Sequence, residues 1–504
     1  MTAKDISSMR STIEYLKETG ELWPVTAEVD PIYEIAGIEK SMENGPAVLF
    51  ENIKGYPGIR DAANIFSRRE RMAALFGVDH PNKIKFKCVE AIRNPIKPKI
   101  VNQAPCQEVV MTSNLDVMAS LPVLKHTERD AGRFIGAGNT LVTGKYFREG
   151  THVGFNRLHF RGKDWSSIYA VRGTHLGDTA LMEFRGERIP ITYNIGTPPA
   201  VMVIAAGGGI HTIVPRGADE LGIAGGLQGF PVDIVKAKTV DAYAVANSEF
   251  VLEGYLDTSQ RVWETEEAEK IGKMGVAPFF PEWPGYMGRA IRTVKFQVTA
   301  LTHRKDRPIF FTPLAHSFEG DMGNCFREAC FLELADRVFG GLVSDVYIPY
   351  SLTQMGGVIF QVKKNRRAQE GQHRTILSAA LDSSPGLRLA IAVDDDVDIY
   401  NPDEILWALA TRVNPQTDII RGSGSGAQMI LMPMERTESA EVGFRFEGGM
   451  AIDATVPLAT KHNFERAHYP VDKVDLKKWF SEEQIRAVNT QQNDYAKVMA
   501  KTGG

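Results

Sequence analysis

Cysteine is scarce in this chain: four residues in 504. That excludes a disulfide scaffold, and with no C-x-x-C pair there is no zinc ribbon or dithiol motif either. Cys325 and Cys330 have no second cysteine or histidine at zinc spacing and read as buried apolar residues. Charge of one sign is missing too. There are 58 basic and 62 acidic residues, a formal net charge of −4, which excludes the basic excess of a dedicated nucleic-acid binder. Long apolar runs are absent. The most apolar stretch, Pro199 to Ile210, falls short of the roughly 20 residues a spanning helix needs. The polar start, MTAKDISSMRSTIEYLKE, lacks the apolar core of a signal peptide, so a soluble cytoplasmic protein is expected. No G-x-x-x-x-G-K-[ST] loop, strand–G-x-G-x-x-G–helix fingerprint, H-E-x-x-H or G-x-S-x-G is present. Gly207-Gly208-Gly209 and Gly422-Ser423-Gly424-Ser425-Gly426 match none of these and read as turns.

What is there is the composition of a globular protein, 43% hydrophobic and 24% charged, with room for two to four domains. The texture changes twice. Residues 1–105 read as an α/β segment, in which Ser67-Arg68-Arg69-Glu70 is a capping box for a helix closed by Gly77. From 106 to 305, short β-type runs alternate with Gly/Pro punctuation: Thr140 to Val142, Val201 to Ala205, Val232 to Ala237 and Phe250 to Leu256. This pattern predicts a barrel or sandwich. Residues 306–504 return to α/β. A buried strand is expected at Leu389 to Val393, a helix capped by Asn401 with Pro402 at its first position, and a last helix capped by Ser481 with Gln484 three residues on.

Three constellations could carry chemistry. In Pro281-Glu282-Trp283-Pro284-Gly285-Tyr286, preceded by Phe279-Phe280, a carboxylate sits on stiff backbone among aromatics. Desolvation there raises a carboxylate pKa and makes a general acid, whereas a solvated loop position would leave it ordinary. In His152 to Arg161, strand alternation puts His152, Gly154 and Asn156 on one face and Arg157, His159 and Arg161 on the other. An arginine on a barrel strand binds a carboxylate through two hydrogen bonds, while the plain alternative is edge-strand charge. His175 and Glu220 are one possible pair of metal ligands, although their spacing alone carries no information.

Taken in order, these segments resemble the UbiD family of reversible decarboxylases, which use prenylated FMN. The resemblance spans nearly the whole chain. It rests on Gly55-Tyr56-Pro57-Gly58, Gln103-Ala104-Pro105-Cys106-Gln107-Glu108, Gly196 to Ala200, Asp219 to Gly226, Ser248 to Gly254, Pro281 to Tyr286 and Asp395 to Tyr400. It implies a central split β-barrel that holds the cofactor between two α/β flanks, the last of which joins protomers, with a homodimer expected. It implies Arg157 and Glu282 as the catalytic pair, and His152, Gly154, Asn156, Arg157, Thr174, His175 and Glu220 around the cofactor. His175, Glu220 and His152 would hold a divalent metal, manganese first, with potassium as a second cation. A separate flavin prenyltransferase would supply the cofactor.

Two positions depart from the family pattern. His152 stands where many members have an Asn ligand, and Ala277 where cinnamic-acid-type members carry a second glutamate. The Ala277 departure is expected to break a Glu-Arg-Glu network and to favour the protocatechuate-type subgroup, hence an aromatic or heteroaromatic acid. His316, Lys363 and Ser423 are the expected substrate-pocket residues. Two rival readings are a split-barrel flavin oxidoreductase and a non-catalytic subunit of a larger carboxylase.

Overall fold

The computed structural model describes residues 5–491, apart from 209, 277, 353–355, 385, 423–448 and 468. Two units are present, one formed chiefly by Met1–Cys330 and the other by Phe331–Asp382, Leu387–Ser423 and the chain after Gly448.

The first unit is built on a closed barrel. Its strands run Phe250–Trp263, Arg188–Ile195, Ile135–Thr143, Thr151–Phe160, Trp165–Ile168 and Arg292–His303, and the last pairs back onto the first. Closure leaves no exposed edge around the ring. Val109–Met111 adds to the end of Arg292–His303. The interior is filled by Ile135, Leu158, Ile168, Ile191, Leu252, Phe296 and Val298, alternate residues of β-branched or aromatic-rich strands. Tyr193 crosses this interior. Its hydroxyl accepts from the Gly138 amide at 2.8 Å and donates to the Asn156 carbonyl at 2.7 Å. A Cβ at Gly138 would lie 2.1 Å from the Tyr193 ring, so only glycine fits there.

Two smaller sheets complete the unit. Leu22–Val25, Ala47–Phe50, Arg60–Ala63 and Ile309–Phe310 form one; Tyr243–Val245, Asp233–Lys236 and Lys99–Val101 form the other. Two local expectations need correction. Val201 to Ala205 is not a strand but part of a helix, Pro199–Gly207, with Pro199 in its first turn and Gly208 in the left-handed region at its end. A short, wholly apolar run fits a buried helix as well as a strand, and the terminal Pro and Gly settle it. The helix near Ser67 begins at Arg69 without a side-chain cap, because the Ser67 hydroxyl donates instead to the Asn64 carbonyl at 3.2 Å. Gly77 closes it with φ +68°.

The second unit is a five-stranded sheet in the order Val343–Tyr347, Gly357–Val362, Leu389–Asp394, Met450–Ala454, Ile419–Arg421. Asn401 caps the helix Pro402–Arg412, accepting from the Asp403 amide. Ser481 and Gln484 bond each other's backbone amides at 3.2 and 2.9 Å ahead of Glu482–Gln491. All four cysteines are buried, and none forms a disulfide. Among the described residues no helix is long and apolar enough to cross a membrane.

Candidate active site

The strand Thr151–Phe160 carries two groups of buried polar side chains, and alternation separates them. Arg157, His159 and Arg161 all reach the segment Trp263–Glu269. His152 reaches Glu220 instead.

Arg157 is almost fully enclosed, its side chain 5% exposed. Nε and Nη2 each donate to one oxygen of Glu264 at 3.0 Å, a bidentate pair. Nη1 donates to Glu282 Oε1. The guanidinium lies 4.5 Å from the ring centre of Tyr169, 4.8 Å from Phe279 and 6.0 Å from Phe280, an aromatic cage that strengthens cation binding where water is excluded. Burial works against its charge, but Glu264 and then Glu282 outweigh that and raise its pKa, so Arg157 is always cationic.

Glu282 sits in a tight turn. Its amide donates to the Tyr286 carbonyl at 2.9 Å, and its carbonyl accepts from Gly285 at 2.9 Å. Gly285 has φ +87°, which glycine adopts without strain. A Cβ on Gly288 would lie 2.5 Å from the Glu282 side chain, so that glycine makes room for the carboxyl. Burial pushes the Glu282 pKa up; Arg157 lowers it, Glu264 raises it, and it settles at about 7. A carboxyl that holds a proton near neutral pH beside a fixed cation can deliver that proton to a neighbouring atom.

Glu264 completes the Arg157 cluster and was missed by the sequence reading. Residue 277 lies outside the described residues, but the expected loss of a Glu-Arg-Glu network does not occur, because Glu264 supplies the second carboxylate. It stands just past the strand Phe250–Trp263, held by its amide to the Ile291 carbonyl at 3.0 Å and by the Ile291 amide to Oε2 at 2.9 Å. The helix Glu266–Ile271, capped by Thr265, separates it from Glu282 in sequence. A search at fixed offset before Glu282 therefore passes it by. The available signal was an acidic residue closing a barrel strand immediately before a capped helix.

On the other face, Glu220 Oε2 is 3.0 Å from His152 Nδ1 and Oε1 is 2.9 Å from His175 Nδ1. The three residues offer ligand atoms within 4.8 Å of one another, and all are buried. Each is fixed locally. Glu220 opens the helix Glu220–Gln228, capped by Asp219, which also accepts from the Thr151 hydroxyl at 2.6 Å. His175 opens a short helix capped by Thr174, whose hydroxyl accepts from Gly177 at 3.0 Å and donates to the Val171 carbonyl at 2.8 Å. Burial would raise the Glu220 pKa, but His152 and His175 overcome it and hold it down at about 2. Two imidazoles and a carboxylate suit a divalent transition ion, and the unpartnered, buried His175 Nε2 is a polar atom in want of a ligand. His211 stacks on His175 with ring centres 4.3 Å apart, and burial lowers its pKa to about 4, so it is neutral there. Gly154 leaves space between His152 and Asn156, and Asn156 Oδ1 is buried without a partner.

The expected pocket residues fall in different places. His316 packs its ring on Gly285, with Nδ1 3.0 Å from the Trp283 carbonyl, beside the Glu282 turn. Lys363 is exposed on the second unit; its neighbour Lys364 is buried there against Glu370, Thr455 and Val456. Ser423 lies outside the described residues.

A closed barrel with a buried arginine between two carboxylates is the frame of the site, and comparison with known proteins identifies the family. Three family models match in succession: the N-terminal domain of 3-octaprenyl-4-hydroxybenzoate carboxy-lyase over residues 13–86, its Rift-related domain over 99–316 and its C-terminal domain over 321–454. The chain belongs to the UbiD family of carboxy-lyases. It is 32% identical over 485 residues to a gallate decarboxylase of Lactiplantibacillus plantarum, covering 92% of this chain and 96% of that protein. The apo 3,4-dihydroxybenzoic acid decarboxylase of Enterobacter cloacae superposes with a TM-score of 0.79 at 30% identity, over 95% of this chain and 99% of that one. An evolved dimeric form of the UbiD-class enzyme HmfF from Pelotomaculum thermopropionicum, in complex with prFMN, gives 0.78 at 28% identity, over 94% of this chain and 100% of that one.

Proposed function

We propose that this protein catalyses the reversible, non-oxidative decarboxylation of an aromatic or heteroaromatic carboxylic acid with prenylated FMN. The observation that carries the reading is Arg157 caged by aromatics and gripped by Glu264 and Glu282, with Glu282 able to hold a proton near pH 7. Relatives that act on gallate and 3,4-dihydroxybenzoic acid, and one that binds prFMN, support the substrate class and the cofactor.

His152, His175 and Glu220 would hold a divalent cation, manganese the first candidate, whose positive charge would suit a phosphorylated cofactor, with Gly154, Asn156 and Thr174 alongside. Potassium, which takes oxygen ligands, would be the second cation. The bound cofactor would serve as electron sink for the ring carbon that loses CO₂. Two of the five Arg157 donors remain for the substrate carboxylate, which orients the ring. After CO₂ departs, Glu282 gives its proton to that carbon. Glu264 keeps Arg157 in place and keeps Glu282 protonated.

The test is CO₂ release from a panel of aromatic acids by protein reconstituted with prenylated FMN. Turnover of at least one acid is expected. Glu282→Gln should lose about 10²–10⁴-fold in kcat while still holding the cofactor. No turnover of any acid, or wild-type kcat in the fully loaded variant, would refute the reading.

A further inference from the structure

The strand Ile135–Thr143 carries a bulge. Ile135 pairs with Leu158 and Gly138 with Asn156, so positions 136 and 137 stand across from Arg157. Gly136 lets the strand pass close to the Phe280 ring at that point. A Cβ there would sit 3.3 Å from the Phe280 ring and 3.9 Å from Nε2 of His126. Phe280 is part of the cage around Arg157, and His126 meets Phe280 edge-to-face with ring centres 5.3 Å apart.

His126 is held for a purpose that its own neighbours do not use. Its side chain is 3% exposed, yet Nε2 has no hydrogen-bond partner. Asp130 Oδ2 lies 3.3 Å from Nδ1 and accepts from the His126 amide at 2.8 Å. A carboxylate at Nδ1 keeps the proton on that nitrogen and leaves a bare lone pair on Nε2. The loop is tied to the Glu282 turn, since the Ala131 amide donates to the Phe279 carbonyl at 2.9 Å and Thr127 touches the Met287 sulfur at 4.0 Å. A buried acceptor left unsatisfied is costly, and an incoming donor removes that cost.

We propose that His126 is a specificity residue that recognises a hydroxyl on the substrate ring: with the acid's carboxylate at Arg157, Nε2 accepts a hydrogen bond from the ring O–H. This rests on the aromatic-acid reading above and narrows it to ring-hydroxylated acids. An ether oxygen in the same place offers no hydrogen and sets acceptor against acceptor, so the site distinguishes a phenol from its methyl ether.

The experiment compares kcat/KM for 3,4-dihydroxybenzoate and 3,4-dimethoxybenzoate in the reconstituted holoenzyme, wild type against His126→Phe and His126→Gln. The wild type should favour the dihydroxy acid. His126→Phe should lose about tenfold on that acid and little on the dimethoxy acid, so that the preference collapses. His126→Gln keeps an acceptor and should retain part of it. Asp130→Asn, which leaves the imidazole but frees its tautomer, gives a second reading should His126→Phe not fold. A hydroxyl-to-methoxyl ratio that neither His126→Phe nor Asp130→Asn moves overturns this proposal alone. A wild-type enzyme that decarboxylates neither acid, nor any other aromatic acid, overturns the parent reading with it.

Discussion

Replacing Glu264 by Gln isolates the electrostatic role of the residue that completes the Arg157 site. The change keeps volume and some hydrogen bonding while removing one negative charge. Glu264 raises the pKa of Glu282, which stands at about 7. Two like charges a guanidinium's width apart repel by about 3 kcal/mol at an effective dielectric near 20, roughly 2 pKa units at 1.36 kcal/mol each. Loss of that repulsion lowers the Glu282 pKa, and Arg157, left with one carboxylate, pulls it in the same direction. The sign for activity follows from the proposed role of Glu282 as acid: the competent form holds the proton, so turnover persists below its pKa and fades as pH rises through it. A fall of even one unit cuts the protonated fraction at pH 7 from about half to about a tenth, a roughly fivefold loss of rate. The assay is kcat against pH under single-turnover conditions with saturating acid. In Glu264→Gln the alkaline limb should move down by at least one unit, with activity largely recovered at acid pH. A limb that stays in place, or moves up, refutes the electrostatic coupling. Glu264→Ala is the poorer probe, since breaking a buried ion pair outright costs about 3–5 kcal/mol and confounds rate with folding.

Two further outcomes test the cation side. His152→Ala removes one of three donors, so manganese affinity, read by calorimetry or by metal content after dialysis, should fall at least about tenfold, and the metal-induced rise in Tm should shrink with it. Gly177→Ala would place a Cβ 1.6 Å from the Val171 carbonyl oxygen, so the short helix that presents His175 must shift. Stability by denaturant should drop by about 3 kcal/mol, and manganese affinity should fall although no ligand has been replaced.

Much of the fold was legible because its signals are local. Asn401-Pro402 and Ser481 with Gln484 state their helices through backbone bonds that need nothing distant. The alternation from His152 to Arg161 holds in the strand Thr151–Phe160 for the same reason. The failures come where one local signal permits two structures. An all-apolar run at Val201 to Ala205 satisfies a buried strand and a buried helix equally, and its tertiary setting chose the helix. At Ser67 the hydroxyl had a competing carbonyl, that of Asn64, and the helix began two residues later.

The site was legible in its parts and not in its wiring. Arg157, Glu282, His175 and Glu220 could be named by resemblance, but what brings the Glu282 pKa to about 7 is the balance among burial, Arg157 and Glu264. Glu264 reaches Arg157 from 107 residues away in sequence and Glu282 from 125, and no periodicity reports a contact of that span. The same holds for His126. Its sequence neighbours show only a polar loop, and the lone pair on Nε2 becomes visible when Asp130, Phe280 and Gly136 are seen around it. One strand then explains why two charged centres coexist in this barrel. Alternation turns His152 toward Glu220 and Arg157 toward Glu264 and Glu282, so each buried carboxylate meets its own partner and neither group must share one with the other. A one-residue slip of Thr151–Phe160 would exchange the faces, leaving Arg157 without its carboxylates and Glu220 without one of its two histidines, and the cost of those unpaired buried groups adds to what holds the register.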